Sequence, residues 1–270
     1  MRVDGSDLRQ LTCPDGEAES RHPAWSPDGT RICFALRRGD YSSLYLMDRD
    51  GAGEERLTAA EGVDDEFPAW SPDGRRIAFS RCDGRGAEDL SIICLDRRDE
   101  QRLTGGERMD YRPAWSPDGR LMAFRRSLGR SPGIYVLPVA GGKPWFVIEG
   151  RSPNWHPQGG RIALSDGVRL GLVGVDSDGQ AADAPVWLTY GSEGVDHYPC
   201  WSPDGQWLAF ERERIAPDAG EPHIFTMRAD GDQLRDLGEG YTPAWSPAMA
   251  RTEGQSPADR PAETGVRRRE

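Results

Sequence analysis

The chain has 270 residues, a formal net charge of −11, 36% hydrophobic residues, 33 glycines and 21 prolines. The acidity argues against nucleic acid, whose phosphates would be repelled, and leaves a basic protein or peptide, a cation, or plain solubility as what the charge serves. No apolar run approaches the ~20 residues of a membrane-spanning helix. "MRVDGSDLRQ" lacks the apolar stretch of a secretory signal, so the chain as written reads as cytoplasmic, or as periplasmic if its true start lies upstream.

In chain order, residues 1–12 ("MRVDGSDLRQLT") align without gaps on 47–58 ("MDRDGAGEERLT") and read as the tail of a repeat. Residues 22–58 form the first full unit. "HPAWS" is a short strand, and "SPDG" is a turn in which Pro27 presets φ, Asp28 bonds nearby backbone and Gly29 takes positive φ. "RICFA" (31–35) is a second strand, "SLYLMD" (43–48) a third and "ERLT" (55–58) a fourth. The pattern recurs at about 67–104, 112–148, 152–189 and 198–237, with tryptophans at 25, 70, 115, 155, 201 and 245. "YTPAWSPAMA" (241–250) is the head of a further unit, and the polar stretch 251–270 is expected to be disordered.

A period of 40–46 residues is the mark of a repeat architecture. The third strand is apolar on both faces, with Leu44 and Leu46 pointing one way and Tyr45 and Met47 the other. Such a strand needs a layer above and below it. Four-stranded antiparallel sheets stacked around an axis provide both, so the expected fold is all-β: a β-propeller with five complete repeats, and most simply six blades of which one is incomplete. The tryptophans should fill the wedges between blades. The incomplete blade would be split between 1–12 and 241–250 within a single domain 1–250; five blades with loose ends, or a piece of a longer propeller, are the alternatives.

The run "PAWSPDGxxIAF", then "LYLMDxDG", then "RLT", resembles the repeat of the TolB-type β-propellers, and related repeats occur in prolyl-oligopeptidase-like and tricorn-type propeller domains. The resemblance covers roughly residues 1–247 and implies the fold more firmly than any activity, since one scaffold hosts many functions. It implies a non-catalytic scaffold that binds a protein or peptide. The alternative is the gating propeller of a prolyl-oligopeptidase-like peptidase, truncated or separated from its catalytic domain. In TolB proteins the propeller follows a separate N-terminal domain and works in the periplasm with an outer-membrane lipoprotein.

In a propeller the first strand of each blade lines the channel. Three residues before the motif proline stand Asp65, Asp110 and Asp196, with Phe67, Tyr111, His197 and Tyr198 beside them. Symmetry would gather these carboxylates into a ring that attracts a cation or a basic peptide end; local turn capping is the plainer role. The loops around 36–42, 81–90, 126–132 and 212–222 are further candidate surfaces. "DRDG" (48–51) and "DSDG" (176–179) lack the remaining ligands of a calcium loop, and "GRSPG" (129–133) lacks the strand-to-helix setting of a hydrolase nucleophile. The five cysteines and four histidines have no metal-ligand spacing; Cys33, Cys94 and Cys200 read as small buried hydrophobes. No metal or cofactor is expected, and the incomplete blade leaves strand edges through which copies could pair.

Overall fold

A computed structural model describes residues 9–12, 18–84, 87–106, 108–128, 131–215 and 220–247. Every named element is a strand, and the strands form five consecutive four-stranded antiparallel units. The first unit comprises β1 (Glu19–Trp25), β2 (Arg31–Arg38), β3 (Tyr41–Asp48) and β4 (Glu55–Arg56), paired in chain order. The second comprises β5 (Asp64–Trp70), β6 (Arg76–Cys82), β7 (Glu88–Cys94) and β8 (Glu100–Arg102). The third comprises β9 (Met109–Trp115), β10 (Leu121–Leu128), β11 (Ser131–Pro138) and β12 (Trp145–Glu149), joined to the second by one parallel pair, Glu88 with Met109. The fourth comprises β13 (Arg151–Trp155), β14 (Arg161–Ser165), β15 (Leu170–Gly174) and β16 (Val186–Trp187). The fifth comprises β17 (Val195–Trp201), β18 (Trp207–Glu213), β19 (His223–Arg228) and β20 (Arg235–Glu239).

Each turn between first and second strands is closed by its own side chains. Asp28 accepts hydrogen bonds from the Ser26 hydroxyl (2.6 Å) and the Thr30 amide (3.0 Å), while Ser26 Oγ accepts from the Arg31 amide (2.9 Å). Gly29 sits at φ 68°, where a side chain would strain the turn. Ser71–Asp73, Ser116–Asp118 and Ser202–Asp204 repeat the arrangement. In the fourth unit, which has His156 and Gln158 instead, His156 Nδ1 takes the Gln158 amide. The second and third strands run further than the sequence suggests: Arg38 pairs with Tyr41, so 36–42 is a tight hairpin and not an open loop. Of "GRSPG", Ser131 to Gly133 belong to β11 and residues 129–130 lie outside the described residues; the two aspartate turns are closed by Gly51 N to Asp48 O and Gly179 N to Asp176 O.

The core lies between units. Leu44 and Leu46 of the first pack with Ile77 and Phe79 of the second; Leu90 and Ile92 of the second pack with Trp115, Met122 and Phe124 of the third. Ile134 and Val136 meet Trp155 and Ile162; Leu170 and Leu172 meet Trp201, Leu208 and Phe210. Met47 and Tyr45 face the other way, where Leu11 and Ala18 cover the outer side of the first unit. The tryptophans therefore fill the wedges, and three of them also donate to the neighbouring unit: Trp70 to Ala24 O (3.1 Å), Trp115 to Ala69 O (3.0 Å) and Trp245 to Cys200 O (3.0 Å). Cys33 is fully buried, whereas Cys94 and Cys200 are only partly so.

The end of the "RLT" motif does not extend the fourth strand. Its threonine turns back, and its hydroxyl accepts the amide of the third strand's leucine: Thr58 from Leu44 (3.0 Å), Thr104 from Leu90 (2.9 Å), Thr189 from Leu170 (2.8 Å). All three threonines are buried. Thr58→Val keeps the volume and removes the acceptor, so it should cost roughly 1–3 kcal/mol in urea denaturation, the price of a buried amide left bare.

Candidate functional site at the mouth of the channel

The first strands of all five units, together with Thr242–Trp245, surround one cavity of about 360 Å³ whose walls are the repeated Pro-Ala-Trp stretches. One end of this cavity is set by the residue immediately before each motif proline. All six such residues have positive φ: His22 (52°), Phe67 (52°), Arg112 (60°), Ser152 (52°), Tyr198 (55°) and Thr242 (38°). A residue preceding proline already has a restricted backbone, and a non-glycine left-handed conformation costs of order 1–3 kcal/mol. In the five complete units these residues are β-bulges, where pairing slips between Arg21 and Ala24 and at the equivalent places in β5, β9, β13 and β17. A bulge re-aims one side chain, and here all six line the cavity.

The larger four stack on one another. The His22 and Phe67 rings are 3.8 Å apart, and the Arg112 guanidinium lies 3.9 Å from the Phe67 ring and 3.9 Å from the Tyr198 ring. A cation held between two aromatic faces is favourable, the more so away from water. Burial, and then the nearby Arg112 charge, push the His22 pKa down to about 3, so the ring is neutral and its 4.0 Å approach to Glu66 is not an ion pair at neutral pH. Beyond the stack, one residue further toward the start of each first strand, come Arg21, Glu66, Tyr111, Arg151, His197 and Tyr241. Arg125, from the neighbouring strand β10, lies 4.4 Å over the Tyr111 ring. Burial lowers the His197 pKa despite Glu213 close by.

The three aspartates singled out in the sequence do occupy equivalent places, but they do not present free carboxylates. Asp65, Asp110 and Asp196 are buried, and each is gripped through two hydrogen bonds by an arginine directly across the sheet: Arg81 (2.6 and 2.8 Å), Arg126 (2.6 and 2.6 Å) and Arg212 (2.6 and 3.0 Å). Where the aspartate is missing the arginine is missing too: the first unit pairs Ser20 with Leu36, and the fourth has Gly150. The carboxylates thus serve internal ion pairs, and the ring offers a cation no unpaired charge from them. The sequence signal for this was an arginine sixteen residues after each aspartate. Phe67 and Tyr198 lie in the stack, Tyr111 and His197 just outside it. Sequence reasoning missed Arg112, Arg125 and Arg151.

Repeated sheets packed face to face about a shared cavity define a β-propeller. The model of the TolB beta propeller domain matches residues 66–249, and the chain belongs to that family. The Tol-Pal system protein TolB of Anaeromyxobacter dehalogenans is 42% identical over 40 residues, which is 15% of this chain and 9% of that protein. The crystal structure of TolB from Acinetobacter baumannii superposes with a TM-score of 0.72 at 23% identity, covering 90% of this chain and 61% of that one. A putative TolB from Agrobacterium tumefaciens gives 0.70 at 22%, covering 86% and 88%. The chain thus spans about three fifths of the Acinetobacter protein, and at these identities the two structures speak to the fold. Among the described residues, no helix is long and apolar enough to cross a membrane.

Two measurements test this description. Arg126→Met strands the Asp110 charge and should cost roughly 3–5 kcal/mol, whereas Asp110→Ser with Arg126→Leu copies the first unit's own solution and should recover most of that loss in thermal melts. Burial, followed by Glu66, raises the Glu88 pKa to about 7. A carboxyl that holds its proton more tightly folded than unfolded loses stability as pH rises from its ordinary value to its folded one. Stability should therefore fall between about pH 4.5 and 7, and Glu88→Gln should remove roughly 1–2 kcal/mol of that fall, allowing for solvent screening of a half-buried group.

Proposed function

We propose that the chain is a non-catalytic binding module whose channel mouth receives a protein or peptide segment. The observation that carries this reading is the set of six strained pre-proline residues. The frame around them repeats almost identically, yet the six side chains differ from unit to unit and four of them stack across the opening. Strain of this kind persists only where the surrounding structure enforces it, and it concentrates at functional sites. A cavity of about 360 Å³ lies at the small end for ligand sites, suited to a chain end or a few side chains more than to a folded loop.

In the same reading, residues 1–250 are one propeller domain, and the two ends supply parts of a sixth, split blade. Leu11 lies against the outer face of the first unit, Trp245 against the fifth, and the Thr242 amide is held by Glu211 (2.9 Å); residues 1–8 and 248–270 lie outside the described residues. The gating role in a peptidase is less well supported, because a gate must pass substrate and here Arg112 bridges two rings across the opening.

Peptides selected from a random library on the intact protein should bind the Phe67→Ala, Tyr198→Ala double variant at least about tenfold more weakly, the loss of two aromatic anchors. Equal binding to a folded double variant would place recognition elsewhere.

A further inference from the structure

Arginines in this protein are mostly spoken for. The half-buried or buried ones on the sheets, such as Arg31, Arg76, Arg81, Arg126, Arg169 and Arg212, each have a carboxylate partner. Arg112, Arg125 and Arg151 are half-buried and form no ion pair among the described residues, and the Nε of each is buried without an acceptor. A buried charged donor left bare is costly. Arg112 lines the cavity, and Arg125 on β10 and Arg151 on β13 lie close enough to act on one another and on it, so that in a chain of net charge −11 the three form a cluster that the fold itself does not require.

The repeat makes the point residue by residue. Arg125 occupies the second-strand position held elsewhere by Ala35, Ser80, Ser165 and Glu211. The polar residues there tie one unit to the next: Ser80 accepts the Arg112 amide (3.0 Å), Ser165 donates to Asp196 O (2.7 Å) and Glu211 accepts the Thr242 amide (2.9 Å). Among the described residues Arg125 makes no such tie; it covers the Tyr111 ring. Arg151 stands where other units have Arg21, Glu66, Tyr111 and His197, and unlike Arg21, which pairs with Glu19, it has no ion pair among the described residues. The charges feel one another: Arg151 is among the groups that lower the Arg125 pKa after burial itself, and Arg125 among those that lower that of Arg112.

We propose that Arg112, Arg125 and Arg151 form an anion-recognition site that takes a carboxylate of an acidic peptide segment at the polar side of the stack. This rests on the peptide-binding reading of the mouth and supplies its chemistry. The Phe67 and Tyr198 rings lie over the Arg112 guanidinium and Tyr198 also takes one of its hydrogen bonds, which leaves the edge that carries the bare Nε for a ligand. That edge matches a planar carboxylate through two parallel hydrogen bonds. A singly charged carboxylate is favoured over phosphate because Glu66 and Glu88 stand beside the cluster and would repel a second negative charge. The site reverses the expectation of a basic partner: Asp65, Asp110 and Asp196 are internally paired, and these three arginines are left without an ion pair among the described residues.

The test is fluorescence anisotropy with labelled hexaglutamate, hexaserine and hexalysine peptides on the full chain, with Arg125→Gln and Arg151→Gln as separate variants. Arg97→Gln serves as the control, since Arg97 is exposed and paired with Asp99. Hexaglutamate should bind more tightly than the other two, weaken with salt, and lose about tenfold or more in each mouth variant but not in the control. Both variants should keep the far-UV circular dichroism of the parent. Hexaglutamate no tighter than hexaserine, or unaffected by both mouth variants, would overturn the inference. So would displacement of hexaglutamate by inorganic phosphate at lower concentration than by acetate. Should hexaserine or hexalysine bind instead, with loss in Phe67→Ala and none in the arginine variants, the anion site falls while the peptide-binding mouth stands; no binding of any of the three overturns both.

Discussion

The structure depends on one constraint: a four-stranded sheet here is apolar on both faces and cannot stand alone. Leu44 and Leu46 need the second unit, while Met47 and Tyr45 need whatever covers the first unit's other side. Each sheet is solvated only along its edges and turns, so the units must stack. The twist that strands carry by nature turns a stack of small sheets into a ring around an axis. The tryptophan of each first strand widens or fills the wedge as needed, and in three places its indole N–H also stitches adjacent units together. Once the stacking is fixed, the first strands have no choice but to face one another across the channel.

That geometry separates what repeats from what varies. The turn built from Ser26 and Asp28 and the buried threonine behind the third strand occur again and again because each solves a local problem of unpaired backbone groups, and the bulge before proline recurs with them in every complete unit. The side chain displayed by the bulge solves no such problem. It is histidine, phenylalanine, arginine, serine, tyrosine or threonine, all on nearly the same backbone. A scaffold that spends strain to hold six different side chains at one opening is organised around what they do together.

Much of the fold was legible in the sequence, because periodicity and turn chemistry are local. "PAWSPDG" announces a strand, a Ser-Asp turn and a positive-φ glycine within seven residues, and the two-faced apolar third strand demands stacking. The site was less legible because it depends on cross-strand partners. Asp65 reads as a channel carboxylate until Arg81, opposite it on the next strand, is seen to neutralise it. The clue was present in the shared absence of both residues from the first and fourth units, but it needs the register to be read. The bulge was invisible for a different reason: histidine, phenylalanine and tyrosine give no local hint of positive φ, and tertiary pairing imposes it. The same holds for Thr58, which looked like the end of a strand and is an acceptor for one.

The charge of the whole molecule and the charge of its centre point in opposite directions, and the register explains why. Across the sheets, arginine and carboxylate are placed opposite each other so that buried charges cancel, as in Arg126 with Asp110. Cancellation fails only where the partner position carries something else. Arg125 faces Tyr111, Arg151 faces Ser165, and Arg112 sits in a bulge that has no cross-strand partner at all. The unpaired arginines of an acidic protein therefore trace to three register positions and not to composition. A net charge counted over the whole chain averages them away, which is why the composition pointed to a basic partner and the geometry points to an acidic one.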